Sequence, residues 1–130
     1  KQKTAYEIGV RLVGSEMCIR DRSSRQAIQW MLVDNEIDIK QSLWITVEAA
    51  AKAERGENFR KEAAMAKLVA TEAGGRVVDR CMQMFGGLGV AKDLPFERWF
   101  REMRIRRIGE GPSEVQRHVI AREILGASLR

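Results

Sequence analysis

At 130 residues the chain has room for one ordinary domain. Hydrophobic content of 45% against 32% charged residues excludes a disordered polypeptide, and no apolar run approaches the ~18 residues of a membrane span. The net charge of +5 raises nucleic acid as a partner, while abundant Ala, Glu, Lys, Leu and Arg with only 6% aromatics point to helices.

Residues 1–22, "KQKTAYEIGVRLVGSEMCIRDR", have no clear amphipathic period and lack the apolar h-region of a signal peptide. Reverse translation offers another origin. Lys1 to Glu7 and the start of Ile8 can be written AAG CAG AAG ACG GCA TAC GAG AT, which resembles a sequencing flow-cell adapter. Leu12 to Asp21 can be written CTC GTG GGC TCG GAG ATG TGT ATA AGA GAC, which resembles a transposase end used in library preparation. The residues between leave room for a short index in the same frame. Residues 1–22 are therefore expected to be translated adapter, with residues 23–130 as the natural helical domain. Those 108 residues carry a net charge of +3 and a single cysteine, Cys81, which suits a reducing compartment.

Over residues 25–54, Ile28, Met31, Leu32, Ile39, Leu43, Val47 and Ala50 recur in steps that mark a long helix, interrupted at Asn35 and Glu36. Trp30 and Trp44 lie off that stripe and suit a second contact. "RGEN" predicts a turn, with Asn58 as N-cap of the second helix. Over residues 59–85 the stripe is Ala63, Ala66, Ala70, Ala73, Val77 and Cys81, whose small side chains admit a close neighbour. Gly74 and Gly75 each cost roughly 1 kcal/mol against Ala, and tight packing is the expected compensation, a kink being the other option. Residues 86–95 read as a loop. A third helix is expected from Pro95, with Phe96, Trp99 and Met103 on one side. A fourth runs from Pro112 to about Leu125, with Val115, Val119, Ile120 and Ile124 apolar; proline suits a first helical position. The fold class is all-α, an antiparallel four-helix bundle.

Two glycine-rich stretches stand out. "IGEGPSE" sets one carboxylate, Glu110, between Gly109 and Gly111 directly before a helix; alone it reads either as a turn with a solvated Glu or as a catalytic base. "QMFGGLG", residues 83–89, reads as a helix C-cap and flexible turn, and no strand precedes it to make a dinucleotide fingerprint. The Arg98, Arg101, Arg104, Arg106 and Arg107 cluster suits a solvated face paired to Glu97 and Glu102 better than a nucleic-acid surface, because no aromatic platform accompanies it. His118 has no partner at metal-ligand spacing and reads as a surface or packing residue; no metal motif is present.

In order, "EAAMAKLVATEA", "QMFGGLG", "ERWFREMRIRRIGEGPSEVQR" and "VIAREIL" resemble the C-terminal helical domain of acyl-CoA dehydrogenases, over nearly all of residues 25–125. The resemblance implies FAD as cofactor, an acyl-CoA thioester as substrate, and α,β-dehydrogenation with Glu110 as the base. It implies that the Glu110 N–H hydrogen-bonds the thioester carbonyl and that Gly111 adjoins substrate. It places Gln83, Gly86 and Gly87 against the adenosine half of FAD, typically across a subunit interface, and Pro112, Ser113 and Glu114 against FAD near the helix start. Electron-transfer flavoprotein as electron acceptor, a homodimer or homotetramer, and a bacterial cytoplasmic or mitochondrial matrix location are implied by the same resemblance, with no nucleic acid and no membrane span.

The chain departs from the family pattern in three places. Pro112 stands where many relatives have Thr, so a hydroxyl contact to FAD is lost. Gly109 replaces a frequent aromatic, which widens the acyl pocket there. An Arg-x-x-Phe-Gly that helps hold the FAD pyrophosphate would fall on residues 15–19, inside the adapter-like segment, and the N-terminal and middle domains are missing. An isolated fragment is then expected to hold no flavin and to be inactive. Two other readings stay open: an acyl-CoA oxidase fragment, and a non-enzymatic helical module that binds an acidic partner through the Arg cluster.

Overall fold

The computed structural model describes residues 22–126, all of whose regular structure is helical. Among the described residues five helices follow in order: α1 (Gln26–Glu54), α2 (Arg60–Phe85), α3 (Gly87–Val90), α4 (Phe96–Ile108) and α5 (Ser113–Leu125). The four expected helices are present, and α3 is an addition, a single turn inside the stretch expected to be loop. The adapter-like segment lies outside the described residues except for Arg22, whose guanidinium donates to the Met84 carbonyl.

The α1–α2 hairpin closes where the sequence placed its turn. Gly56 adopts φ +70°, Glu57 N–H reaches the Lys52 carbonyl at 3.0 Å, and Gly56 N–H reaches that of Ala53 at 3.0 Å. This Schellman arrangement satisfies the last carbonyls of α1. The N-cap of α2 is Phe59, one residue after the Asn58 expected there, and Asn58 Oδ1 instead accepts from Arg60 N–H at 3.2 Å from just outside the helix. Lys52 Nζ then meets Glu62 at 2.7 Å, fastening the two helices beside their turn. Pro95 and Pro112 likewise stand at the N-caps of α4 and α5 rather than at their first residues.

The apolar stripe expected on α1 is helical, but beyond the half-buried Ile28 and Met31 it does not face α2. Asn35, Asp38 and Ala49 are the buried residues of α1, with Ser42 and Ile45 half-buried on the same side. Leu32, Ile39, Leu43 and Val47 are exposed, and so are Trp30 at 61% and Trp44 at 67%. The cause is a polar lock. Asp38 accepts from Arg76 at 2.5 and 3.1 Å and from Arg80 at 2.7 Å, while Arg80 also reaches Asn35 at 3.2 Å. Asp38 therefore turns inward and carries its helix face with it. Arg76 beside it, and Arg80 behind, hold its carboxyl below the usual aspartate value against the opposing effect of burial.

Helix α2 is the centre of the domain, packing against α1, α4 and α5. The buried apolar residues are mostly small: Ala49, Ala64, Ala66, Ala73, Val78 and Met84. Alanine along α2 lets its neighbours approach closely. A Cβ at Gly74 would sit 2.8 Å from Met103 Sδ, so the packing expected to compensate that glycine is present; Gly75 is looser, 3.8 Å from Arg107 Cδ. Phe85 and Phe96 stack with ring centroids 4.8 Å apart at one end of the α2–α4 contact. At the other, Glu72 pairs with Arg107 at 2.7 Å. Ser113 meets Glu72 and Glu123 approaches Arg60, so α5 also runs against α2, beyond the end of α4. The 109–112 turn between α4 and α5 thus lies over the middle of α2.

Candidate functional site

That turn begins where α4 ends, with Gly109 N–H donating to the Ile105 carbonyl at 2.8 Å. Glu110 comes next at φ +53°, the single non-glycine residue with positive φ among the described residues, and Gly111 continues at φ +91°. Two consecutive left-handed residues reverse the chain in the smallest space. A left-handed Glu costs on the order of 1–3 kcal/mol, so its surroundings must impose it. Glu110 is exposed, with a glycine on either side.

The Gly111 carbonyl accepts from Lys67 Nζ at 2.5 Å and from Gln116 Nε2 at 3.1 Å. Lys67 projects from α2 and Gln116 from the first turn of α5, so two helices grip one peptide oxygen. At φ +91° the position favours glycine, and a Cβ there would also lie 2.5 Å from Gln116 Nε2 and displace the end of that side chain. One residue on, Pro112 takes an extended conformation, φ −61° and ψ 165°, and directs the chain into α5. Ser113 is buried, and its hydroxyl donates to Glu72 at 2.6 Å. That hydrogen bond, aided by Arg107, holds the Glu72 carboxyl below the usual glutamate value against burial.

The site residues expected from the sequence separate into two groups. Glu110, Gly111, Pro112, Ser113 and Glu114 share the turn and the start of α5, with Glu114 exposed in the first helical turn. Gln83, Gly86 and Gly87 sit at the far end of α2, all three exposed, with Gly86 at φ +60°. The rise of α2 from Glu72 to Gln83 is roughly 16 Å. One chain therefore does not bring the two groups together around a single small ligand. Sequence reasoning missed Lys67, Glu72, Arg107 and Gln116. Their signal was faint: Lys67 and Glu72 are charged residues within the alanine-rich inner surface of α2, and their partners Gly111 and Ser113 lie more than forty positions away.

The residues present suit the FAD that the resemblance implies, with one exception. A Cβ built on Gly86 or Gly87 meets nothing within 4 Å, so backbone there is open to close approach by a large planar or phosphorylated group. The Ser113 hydroxyl, by contrast, is committed to Glu72. Two surface grooves flank the turn. One is lined by Phe59, Ala63, Gln116 and Val119, the other by Glu72, Gly75, Phe100 and Arg104, and Glu110 lines neither.

The basic face of α4 forms the expected pairs, Arg98 with Glu102 at 3.5 Å and Arg101 with Glu97 at 3.2 Å. His118 is exposed on α5. Among the described residues no group of three side chains is placed to hold a metal ion, and no helix is long and apolar enough to cross a membrane. Burial pushes the Cys81 thiol up, and Asn35 Nδ2 lies 3.9 Å from its sulfur.

Comparison with known proteins gives a consistent result. The family model described as "Acyl-CoA dehydrogenase, C-terminal domain" matches residues 20–125. The short-chain specific acyl-CoA dehydrogenase of Bos taurus mitochondria is 43% identical over 100 residues, 77% of this chain and 24% of that protein. A probable acyl-CoA dehydrogenase of Bacillus subtilis, YngJ, is 42% identical over 103 residues, 79% of this chain and 27% of that protein. The solved structure of butyryl-CoA dehydrogenase from Megasphaera elsdenii superimposes with a TM-score of 0.77 at 34% identity, covering 79% of this chain and 27% of that one. The chain spans about a quarter of the length of the curated relatives it matches.

Proposed function

Because the chain belongs to the acyl-CoA dehydrogenase family, whose C-terminal domain it matches, we propose that it is the C-terminal portion of an FAD-dependent acyl-CoA dehydrogenase. The reaction is α,β-dehydrogenation of an acyl-CoA thioester. The Glu110 carboxylate takes the α-proton as the new carbon–carbon double bond forms and the β-carbon gives up a hydride. When bound, FAD supplies the two-electron acceptor for that hydride. The Glu110 N–H donates to the thioester carbonyl and offsets the negative charge that develops on its oxygen. Gly109 and Gly111 keep side chains away from the carboxylate, leaving room for substrate beside Gly111.

The observation that carries this reading is the left-handed Glu110, exposed between two glycines at the junction of α4 and α5. A merely solvated glutamate gives no reason to hold a strained backbone there, where glycine would serve without strain. Gln83, Gly86 and Gly87 are assigned to the adenosine half of FAD, and Pro112, Glu114 and the backbone of Ser113 to its contact near the start of α5. The separation of the two groups supports FAD sites completed by a second subunit, in a homodimer or homotetramer. The exposed Trp30, Val33, Ile37 and Trp44 on one side of α1 support such an assembly. Electron-transfer flavoprotein is the assigned electron acceptor, in a bacterial cytoplasm or a mitochondrial matrix. The 130-residue chain by itself is assigned no flavin and no activity, and its purified form should be colourless. Residues 1–22 are assigned to translated adapter; long-read sequencing of the source DNA across Ser23 tests that origin.

The decisive experiment is Glu110→Gln in the full-length protein carrying this domain. The variant should keep its FAD and lose anaerobic bleaching of the flavin by acyl-CoA. Undiminished bleaching would rule out Glu110 as the base.

A further inference from the structure

Among the described residues no side chain bonds the Glu110 backbone; the residues that impose its conformation act on its neighbours. Gly109 is tied to Ile105, Gly111 to Lys67 and Gln116, and Ser113 to Glu72, which is itself paired to Arg107. Of these, Lys67 makes the shortest link to the peptide after Gly111, and it comes from α2, outside the turn. An ammonium donating to a carbonyl is a charge-assisted bond, stronger than the amide bond from Gln116. Gln116 sits in the first turn of α5 and moves with the turn, so it cannot fix the turn against the rest of the domain. Lys67 can. We propose that Lys67 is a positioning residue for the base, holding the Gly111–Pro112 peptide by its carbonyl and so fixing the left-handed Glu110–Gly111 pair that precedes it. This rests on the reading of Glu110 as the base.

The geometry separates this role from simple stabilisation. Without the Lys67 bond the Gly111 carbonyl keeps Gln116, and α5 keeps its Ser113–Glu72 anchor. The domain should remain folded while the carboxylate loses its fixed aim. Misplacement of a reacting group by about 1 Å costs on the order of a hundredfold in rate.

The test uses the full-length, FAD-loaded protein, with Lys67→Met, Lys67→Arg, Gln116→Leu and Glu110→Gln measured side by side. Lys67→Met should slow anaerobic flavin bleaching by about tenfold or more at saturating acyl-CoA, with FAD content and substrate affinity within about twofold of the parent. Lys67→Arg, which can donate to the same oxygen, should restore most of the rate. Bleaching by Lys67→Met at the parent rate would overturn the proposal. So would a fall in substrate affinity alone. Should Lys67→Met fail to fold, the shorter and uncharged Lys67→Gln decides: slower bleaching at unchanged affinity supports the grip on Gly111 and the parent rate overturns it, while Gln116→Leu, which leaves the Lys67 bond in place, should bleach near the parent rate. If Glu110→Gln bleaches normally, the base assignment itself has failed, and this outcome is distinct from a failure at Lys67.

Discussion

Ser113 Oγ donates to Glu72 Oε1 at 2.6 Å, so the first residue of α5 is fastened to the middle of α2. The hydroxyl that a helix start usually leaves for a cap or a ligand is spent inside the domain. What α5 offers outward at this point is backbone N–H and the exposed Glu114.

Acid should unfold the domain through its paired carboxylates. Asp38, Glu62 and Glu72 all have folded values below their ordinary 3.8 and 4.5, each through a hydrogen bond, from Arg76, Lys52 and Ser113 respectively. A carboxylate depressed on folding adds stability that is complete above its unfolded value and is lost as pH falls through its folded one. The thermal midpoint should therefore hold from neutrality to roughly pH 5 and then fall steadily below about 4.5. Circular dichroism melts from about pH 7 to about pH 2 measure this. A midpoint that stays flat down to about pH 3 would contradict it.

Asp38→Asn should be among the costlier changes on α1. Asp38 is 6% exposed and accepts from two arginines, but Arg76 is half-exposed and regains water when released. The net loss is about 2 kcal/mol, below that of a fully buried pair. Arg76→Met in the same background should then cost less than it does alone, since its partner is already gone. Equal costs in both backgrounds would show that the two residues do not act together.

Three glycines should respond to alanine in three ways. Gly75→Ala meets only ordinary contact at 3.8 Å and gains helix propensity, so it should stabilise by up to about 1 kcal/mol. At Gly74 the new methyl meets the flexible tip of Met103 at 2.8 Å, and the same gain should be offset by displacing it. Gly89→Ala would press on the Met82 backbone at 2.5 Å, which cannot yield, and should destabilise by about 2 kcal/mol. Denaturant midpoints rank the three; any other order contradicts the packing described for α3 and α4.

Much of the helix pattern was legible because apolar spacing reports helicity whichever way a helix faces. Orientation was not legible for α1, whose apolar residues Ile39, Leu43 and Val47 lie away from the polar Asn35, Asp38 and Ser42. Periodicity favours the greasier side, and here long-range charge pairing from Arg76 and Arg80 on α2 chose the other. The unusual backbone at Glu110 was legible because a glycine stands on each side of it. Lys67 and Glu72 were not, since their meaning comes from contacts with Gly111 and Ser113, and a lysine or glutamate within a helix has many ordinary uses. The extra turn at residues 87–90 escaped because Gly-Leu-Gly-Val has low helix propensity, overridden by its packing against Met82.

Helices α4 and α5 both take their place from α2, each meeting a different part of it. Helix α2 is thus a common ruler for the two ends of the domain. A one-residue insertion between Glu72 and Gln83 would rotate one end against the other by about 100° and shift it by about 1.5 Å. Insertions in the loops before and after α2 alter no such spacing. The tolerance of this domain to length changes should therefore be lowest between Glu72 and Gln83, the same stretch in which Gly75 accepts a larger side chain.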